Sequence, residues 1–535
     1  MGRKELNFLE LLALLKERIG PPANLMVVLA TLESYGFQDE DAQQKYGYRS
    51  LYALADSLFD DLTIRKTEDS ESLKRDLSKK DKLSLYPVSD YMWVKTNLFL
   101  KHYPRGLFYL LPIFLQVAAI VVFGYSLWAY LSFNIIQSTA VVLGVILGLV
   151  ISGGFIQVIG HQASFYWHNE EFAKTERVIW QLLKTAFFGY LCCFLIIGLI
   201  NFIFSFYPTY FVGVVSMYSI LIGILLLICA PFHTIEKRWV ISLIISLATL
   251  FAIILKLYTD LHIYLTHWLG ISSGIIAGLV ILQFFFKHKK KSKVQKDSFV
   301  NPQMIVAKNY RLFVYGTLLY ILIFTDRILA WSADTGITHD YLLLYEKQYE
   351  IGMDLAIIIF FLLAGVMEYA VASFCRFMNR GQEVTKMKDI TAYNAQFIGI
   401  YKEHLIWLFI TAIAAAWVVF LLIDRPWGYY AVFGEPLPSM SLWVCILGGV
   451  GYFFLAWGML NAQYLFTLKQ HSAPLKVLIL AVLVNFITGI AFSRFISFEY
   501  SVLGMLLGAM IFAAGTYLQC MKFFKTLDYY YYAAY

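Results

Sequence analysis

The sequence predicts an all-α polytopic membrane protein with about twelve transmembrane helices in two bundles of six. Its 535 residues are 59% hydrophobic and only 15% charged, and the mean hydropathy is +0.64. A water-soluble chain carries about 25% charged residues, so composition excludes a fully soluble fold. Two further observations support the prediction: the chain has apolar stretches long enough to cross a bilayer, and lysine and arginine are placed unevenly between them.

The first hundred residues differ from the rest of the chain. They contain 14 Lys or Arg and 16 Asp or Glu, whereas all later residues together contain 29 and 20. Apolar residues at helical spacing predict a first helix that ends before Gly20-Pro21-Pro22. Short helices over 24–35 and 50–62 and a charged segment over 67–81 follow. Residues 1–100 therefore form a cytoplasmic helical module and linker, which either docks a partner or is a passive cap.

A helix needs about 20 apolar residues to cross a bilayer, and twelve stretches have roughly this length. They lie at 107–131, 138–160, 184–206, 209–230, 239–258, 262–286, 312–332, 353–375, 404–423, 441–463, 475–495 and 501–520. Residues 101–286 would form the first six-helix bundle and residues 312–520 the second. Residues 287–311 would be a basic cytoplasmic linker between them, and residues 521–535 a tyrosine-rich cytoplasmic tail.

The basic residues test this count of spans. With the N-terminus inside, 24 of the later Lys and Arg lie on the inner side and 5 on the outer side. This bias follows the positive-inside rule, so we expect both termini in the cytoplasm and the protein in the plasma (inner) membrane. The same loops, together with contacts to membrane lipids, account for the net charge of +7 without a nucleic-acid partner.

A weak internal repeat supports the division into two halves. Ala163-Ser164-Phe165 follows the second span, and Ala372-Ser373-Phe374 follows the eighth. A polar loop comes after each copy. Both halves have the same orientation, so a symmetry axis would run along the membrane normal, as in transporters with parallel repeats.

Sequence motifs of common enzymes are absent from the chain. There is no phosphate-binding G-x-x-x-x-G-K-[ST] loop, no H-E-x-x-H and no G-x-S-x-G. The six cysteines match neither a disulfide framework nor a zinc site. We therefore predict no catalytic residues, no metal and no cofactor. A membrane enzyme of glycan assembly stays as an alternative, because the outer segment 332–352 carries Asp334, Asp340 and Glu346.

Ionisable residues in or near membrane spans are costly and often mark substrate pathways. Asp326 and Arg327 lie near the outer end of the seventh span, Asp354 opens the eighth, and Glu368 follows 14 residues later. That spacing puts both acids on one helix face, about 21 Å apart. We expect Arg327 to face Asp354 at the outer mouth of a central cavity, with Glu368 at the inner mouth. Alternatively, these residues lie at the interfaces and reach lipid headgroups.

Three polar residues within the spans are further candidates for lining the pathway. Gln157 and His161 are four residues apart on the second span, beside several glycines, and Asn485 lies in the eleventh span. The glycines indicate close helix packing. Each of the three polar residues either lines the pathway or makes a hydrogen bond to a neighbouring helix.

The 6+6 plan, the polar loops after spans two and eight and the basic central linker resemble the MOP flippase superfamily. That superfamily includes MATE exporters, lipid II flippases and polysaccharide transporters. Within it the chain is most similar to the Pel exopolysaccharide transporters (the PelG family). The matching residues are Asp326-Arg327 with Trp331, the segment 345–350 before span eight, and Glu368-Tyr369 before Ser373-Phe374. Two features depart from the pattern: the N-terminal module, and Glu350 where an aspartate is expected.

This resemblance implies alternating access of two bundles around a central cavity. The expected substrate is a polysaccharide or a lipid-linked glycan, exported for exopolysaccharide and biofilm synthesis. The expected partners are a cytoplasmic glycosyltransferase or other subunits of a synthesis complex, which the N-terminal module would dock. The drive would be an ion gradient or the synthase itself. The main alternative is an ion-coupled small-molecule antiporter of the MATE kind.

Overall fold

The structure is a computed structural model that describes residues 8–19, 22, 24–62, 88–108, 111–235, 237–290, 302–333, 341–384, 390–426 and 428–534. The helices in chain order are α1 Phe8–Ile19, α2 Leu25–Ser34, α3 Asp39–Tyr46, α4 51–62, α5 Val88–Phe108, α6 Leu111–Phe123, α7 Ile135–His168, α8 Phe172–Phe204, α9 Thr209–Thr234, α10 Trp239–Tyr258, α11 Ile263–Lys290, α12 Pro302–Lys308, α13 Tyr310–Trp331, α14 Lys347–Val384, α15 Ile390–Asp424, α16 Tyr429–Phe433, α17 Ser439–Thr467, α18 Ser472–Phe495, α19 Val502–Lys525 and α20 Leu527–Ala534.

The described helices confirm the predicted fold class of a multi-pass membrane protein. Eleven of them are long and apolar enough to cross a membrane, and the bent pair α5–α6 supplies a twelfth span. A helix satisfies its backbone hydrogen bonds internally, as the hydrocarbon interior of a membrane requires. We call the side that carries both chain ends the inner side and the opposite side the outer side.

The transmembrane helices form two bundles with the same layout. In bundle one, α7 packs against α8 and α9, and α10 packs against α11; in bundle two, α14 packs against α15 and α17, and α18 packs against α19. Each bundle has its own buried apolar core. The corresponding helices occur in the same order in both halves, as the internal repeat predicts.

The bundles meet along two seams, one between α7 and α13 and the other between α5 and α14. At the first seam, a Cβ atom on Gly153 would lie 2.7 Å from the carbonyl oxygen of Gly316. At the second, a Cβ atom on Gly106 would lie 2.6 Å from the Cα atom of Gly365. Gly106 of α5 and Gly316 of α13 are 210 residues apart, nearly the same separation as the 209 residues between the two Ala-Ser-Phe copies. The seams therefore occupy equivalent positions in the two halves.

The first span differs from the predicted stretch 107–131. Helix α6 already ends at Phe123, because Gly124 adopts a left-handed conformation with φ of 63°. The following loop folds back into the bundle, where the backbone N–H of Leu127 donates to Gln116 Oε1 at 2.8 Å. Leu127 is fully buried, so this loop is apolar. Its hydropathy therefore resembles that of a continuing membrane helix, which is why the sequence predicted one. The inner part of the span is α5, bent by 46° from α6.

Helix α5 packs on bundle two, although the predicted domain boundary at residue 101 assigns its end to bundle one. Lys95 forms an ion pair with Glu403 of α15, and the Phe99 ring lies 5.1 Å from the Trp407 ring. Helix α6, in contrast, packs on α10 of bundle one. The first span thus passes from one bundle to the other, and its bend joins them.

Smaller differences from prediction concern the module, the linker and the tail. Helices α1, α2 and α4 lie where predicted, whereas the polar helix α3 lacks an apolar face and was not predicted. The predicted charged segment 67–81 lies outside the described residues. Within the predicted linker, α12 places Ile305 in the core of bundle one. The predicted tail is helical: its first residues end α19, and α20 packs against α2 and α15.

The seam packing predicts different effects for two glycine-to-alanine substitutions in the same helix. Gly153→Ala places a methyl group against the Gly316 carbonyl and Tyr320, and such overpacking costs about 1–3 kcal/mol. Gly160→Ala is the control, because its Cβ would meet nothing within 4 Å. We expect thermal unfolding of the purified protein to occur at a lower temperature for Gly153→Ala only. Equal unfolding temperatures would contradict the seam.

Candidate transport site

A buried ionic cluster lies at the outer end of bundle two, where α13 ends and α14 begins. Arg327 is 4% exposed and Glu350 is 1% exposed. Arg327 Nη1 donates to the Glu350 carboxylate and to Asp354 Oδ1, the latter at 3.0 Å. Trp331 Nε1 donates to Glu350 Oε1 at 2.9 Å. Arg327 and Trp331 are four residues apart on α13, and Glu350 and Asp354 are four residues apart on α14. Each pair therefore lies on one helix face, and the two faces meet in the cluster.

Asp326 extends this cluster into the interior of bundle two. It is fully buried, and its Oδ2 accepts a hydrogen bond from the Tyr349 hydroxyl at 2.7 Å. Among the described residues, Asp326 Oδ1 and Arg327 Nε are buried without a hydrogen-bond partner. Burying an unsatisfied polar atom is costly, so the cluster keeps hydrogen-bonding capacity for water, an ion or a substrate.

The contact between Arg327 and Asp354 is the one that the sequence predicted. Glu350 is the more buried partner, since 2% of its side chain is exposed against 66% for Asp354. The sequence identified Glu350 only as a departure from the family pattern. Its position four residues before Asp354, on the same helix face, was a signal that would have found it. A role of these residues in transport stays a prediction.

The segment 341–346, which we call the outer strap, crosses from bundle two to bundle one beside the cluster. Its Leu343 N–H donates to the Tyr207 hydroxyl at 2.7 Å, and Tyr207 lies in the turn between α8 and α9. The N–H of Tyr345 donates to Thr139 Oγ1 of α7 at 2.9 Å. The strap therefore connects the bundles at their outer ends.

Aromatic rings from both bundles accompany the outer strap. The ring of Tyr207 lies 4.3 Å from that of Phe211 and 5.7 Å from that of Tyr341. The ring of Tyr345 lies 5.7 Å from that of Trp331. The outer end of the molecule thus combines flat apolar surfaces with the charged hydrogen-bonding groups of the cluster.

Glu368 lies towards the inner end of α14, beside the second seam. Its Oε1 accepts a hydrogen bond from Arg238 Nη1 at 2.7 Å, and each side chain is about one third exposed. Arg238 immediately precedes α10 of bundle one, so this ion pair joins the two bundles. His102 and His233 lie within electrostatic range of Glu368. The sequence identified Glu368 but did not predict its partner.

The three polar candidates within the spans have different surroundings. Gln157 lies at the first seam, where its Cγ would be 2.6 Å from a Cβ on Gly316. The ring of His161 lies 5.4 Å from that of His471, across the inner end of the same seam. Asn485 Nδ2 donates to the carbonyl of Leu322 at 2.9 Å, so Asn485 joins two helices inside bundle two.

Comparison with known proteins gives similarity in structure only. No known family profile matches the chain, and no curated protein matches it in sequence. A MOP superfamily transporter from Pyrococcus furiosus is similar with a TM-score of 0.56 at 12% identity, covering 81% of this chain and 97% of its own. An outward-facing multidrug resistance MATE transporter of the MOP superfamily is similar with a TM-score of 0.53 at 13% identity, covering 81% and 96%. The chain has the fold of MOP transporters.

This fold places the charged groups with respect to the two halves. The MOP-like bundles correspond to bundle one and bundle two, and the outer strap and the Arg238–Glu368 pair join them at opposite ends. The ionic cluster belongs to bundle two alone. At these identities the likeness shows the fold and does not show the substrate.

The structure of the cluster predicts that neutralising its two acids lowers the free energy of unfolding by unequal amounts. Glu350→Gln removes the buried partner of Arg327, and breaking a buried pair costs about 3–5 kcal/mol. Asp354→Asn removes an exposed partner, which costs about 1 kcal/mol or less. We expect thermal unfolding to show a clearly larger loss for Glu350→Gln. An equal or larger loss for Asp354→Asn would contradict the arrangement.

Proposed function

We propose that the protein moves a polysaccharide or a lipid-linked glycan across the plasma (inner) membrane by alternating access of its two bundles. The fold that it shares with MOP transporters supports transport rather than catalysis. The two glycine seams are the places where the bundles touch, so they are the contacts along which the bundles would move against each other.

The observation that carries a glycan substrate is the composition of the outer mouth. Sugar hydroxyls both donate and accept hydrogen bonds, which suits the exposed Asp354 carboxylate, with the buried Arg327–Glu350 pair beside it. The C–H faces of a sugar ring are weakly positive and suit the negative faces of aromatic rings, here Tyr207 and Tyr345. The sequence resemblance to Pel-type exporters supports the same substrate class.

In this proposal the two inter-bundle contacts alternate. The outer strap holds the outer ends together, and the Arg238–Glu368 pair holds the inner ends together. Opening one contact while the other persists gives access from a single side at a time. A cytoplasmic glycosyltransferase would supply the glycan at the inner side, and the N-terminal module is the proposed docking site for it.

One observation favours the second candidate, an ion-coupled antiporter of the MATE kind. Asp326 is buried in the membrane-spanning part of bundle two, and its Oδ1 has no hydrogen-bond partner among the described residues. Carboxylates in such positions often take up a proton or a cation during transport. Under this alternative, Asp326→Asn would abolish the dependence of uptake on an ion gradient.

Synthesis-coupled transport in vesicles distinguishes these candidates. Sealed inside-out vesicles containing this protein and the host's glycan-synthesis enzymes receive radiolabelled nucleotide sugars outside, and polymer protected in the lumen is measured. We expect protected polymer that requires this protein but no ion gradient. Protection only with a gradient would favour the antiporter or an ion-coupled flippase. Equal synthesis with no protected polymer would contradict polysaccharide export.

Substitutions at the two mouths predict a loss of export in the same vesicles. Glu368→Gln weakens the inner contact, and Arg327→Lys keeps the charge but loses the planar group that reaches two acids. Loss of a contact worth about 1.4 kcal/mol changes the ratio of two states tenfold. We therefore expect the rate of export to fall about tenfold. Lys522→Gln, on the exposed inner surface of α19, is the control.

The amount of each variant in the membrane is measured in parallel with its export. We expect both variants to be as abundant as the wild type, because Arg327→Lys keeps a positive charge beside Glu350 and Asp354, and Glu368→Gln changes a pair that is about one third exposed. Export at the wild-type rate from both variants would show that Arg327 and Glu368 do not act in transport.

A further inference from the structure

The inner end of the first seam, between α7 and α13, brings basic side chains together. Asn309, between α12 and α13, joins the seam there, because its Nδ2 donates to Gln162 Oε1 of α7 at 3.0 Å and both residues are buried. Lys308 and Arg311 lie on either side of Asn309 in the chain, and both are exposed. The buried amide contact therefore holds two exposed cationic side chains at the seam.

Two histidines and a third lysine lie at the same place. The ring of His161 on α7 lies 5.4 Å from that of His471, which precedes α18. Lys308 and Lys469 lie within electrostatic range of His161, and Arg311 and Lys469 lie within the same range of His471. Burial and the positive charges nearby lower the pKa of His471 to about 4. We call these five residues the basic site: His161, Lys308, Arg311, Lys469 and His471.

The internal repeat relates this site to the Arg238–Glu368 pair at the second seam. His471 immediately precedes α18, the fifth span of bundle two, as Arg238 precedes α10, the fifth span of bundle one. Their partners, His161 and Glu368, lie on the second spans, α7 and α14, at positions 207 residues apart. The two contacts are therefore equivalent, but a carboxylate neutralises the contact at the second seam, whereas a histidine takes its place at the first.

Positive charges from both bundles meet at the basic site. Lys308 belongs to α12, which packs on bundle one, whereas Arg311 opens α13 and Lys469 follows α17, both of bundle two. Like charges repel each other, and a surface that collects one sign of charge attracts the opposite sign. A phosphate group suits such a site, because its oxygens accept charge-assisted hydrogen bonds from lysine and arginine.

Exposed apolar side chains adjoin the same basic groups. Phe165 is exposed one turn beyond the histidine of α7, and Met304 is exposed one turn before Lys308. The exposed ring of Tyr310 lies 5.6 Å from the guanidinium of Arg311. Basic and aromatic groups beside apolar surface at the ends of membrane spans are typical of the membrane–water interface. These neighbours favour a phosphate carried by a lipid over a phosphate free in solution.

We propose that the basic site binds the phosphate group of an anionic lipid in the leaflet on the inner side. The lipid contacts Lys308 on the side of bundle one, and Arg311 and Lys469 on the side of bundle two. Its phosphate supplies at the first seam the negative charge that Glu368 supplies at the second. This inference goes beyond the proposed function, because it holds whichever solute crosses the membrane.

Lipid binding by the purified full chain in a neutral detergent tests the site. Native mass spectrometry measures the binding of phosphatidylglycerol, which is anionic, and of phosphatidylcholine with the same acyl chains, which has no net charge. The test variant is Lys308→Gln/Arg311→Gln. The control variant is Lys522→Gln/Lys525→Gln, which removes two exposed charges at the inner end of α19.

The test variant is expected to lose affinity for the anionic lipid only. Each Lys or Arg near a membrane surface strengthens the binding of anionic lipid about fivefold, so we expect Lys308→Gln/Arg311→Gln to bind phosphatidylglycerol about 30-fold more weakly. Its binding of phosphatidylcholine, and both affinities of the control variant, should stay near the wild-type values. Unchanged binding of phosphatidylglycerol by the test variant, or an equal loss in the control variant, would overturn the site.

A charge-keeping variant separates loss of charge from loss of structure. Lys308→Arg/Arg311→Lys changes the same two side chains but keeps both positive charges, and we expect it to bind phosphatidylglycerol nearly as well as the wild type. If it loses as much affinity as Lys308→Gln/Arg311→Gln, the two residues act through packing and the proposal is wrong.

Competition with inorganic phosphate separates a lipid site from a site for soluble phosphate. Excess inorganic phosphate is added to the wild type with bound phosphatidylglycerol, and sodium chloride at the same ionic strength is the reference. We expect the lipid to stay bound equally in both salts, because the adjoining apolar side chains also hold it. Release of the lipid by inorganic phosphate alone would show a site for soluble phosphate and would overturn the lipid assignment.

Discussion

The two bundles approach each other most closely at the two glycine seams, where glycines let helix backbones touch. Lipid chains are as apolar as side chains, so helices in a membrane associate through close packing and hydrogen bonds rather than through the hydrophobic effect. Gly153 and Gly316 let α7 touch α13, and Gly106 and Gly365 let α5 touch α14. Since both seams lie between bundles, they fix how the two halves face each other.

Two further contacts join the bundles, one on each side of the membrane. The Arg238–Glu368 pair joins the bundles on the inner side beside the second seam, and the outer strap joins them on the outer side. The Arg327–Glu350 pair is buried within bundle two and does not cross between bundles. Buried ion pairs contribute little net stability, so stability alone does not account for a buried ion pair in a membrane span.

Much of the fold was predictable because hydropathy and charge bias are local in sequence. They predicted the twelve spans and the two halves, and the charged residues at the outer ends of spans seven and eight predicted the contact of Arg327 with Asp354. The first span was misplaced because a buried apolar loop around Leu127 has the composition of a helix. The partner Arg238 was not predictable, since its contact with Glu368 joins residues 130 positions apart. The substrate lies beyond what these patterns specify.

Distances on the two sides of the membrane show whether the two bundles rock against each other. In a cysteine-free variant, one pair of spin labels replaces Lys237 and Lys402 on the inner side, and another pair replaces Tyr210 and Phe495 on the outer side, all exposed positions. Pulsed electron resonance then measures each distance in nanodiscs over a range of pH and lipid composition. We expect two distances for each pair, one from each arrangement of the bundles. When the longer distance gains population in the inner pair, it loses population in the outer pair. A single fixed distance for both pairs under every condition, or changes in the same direction, would contradict it.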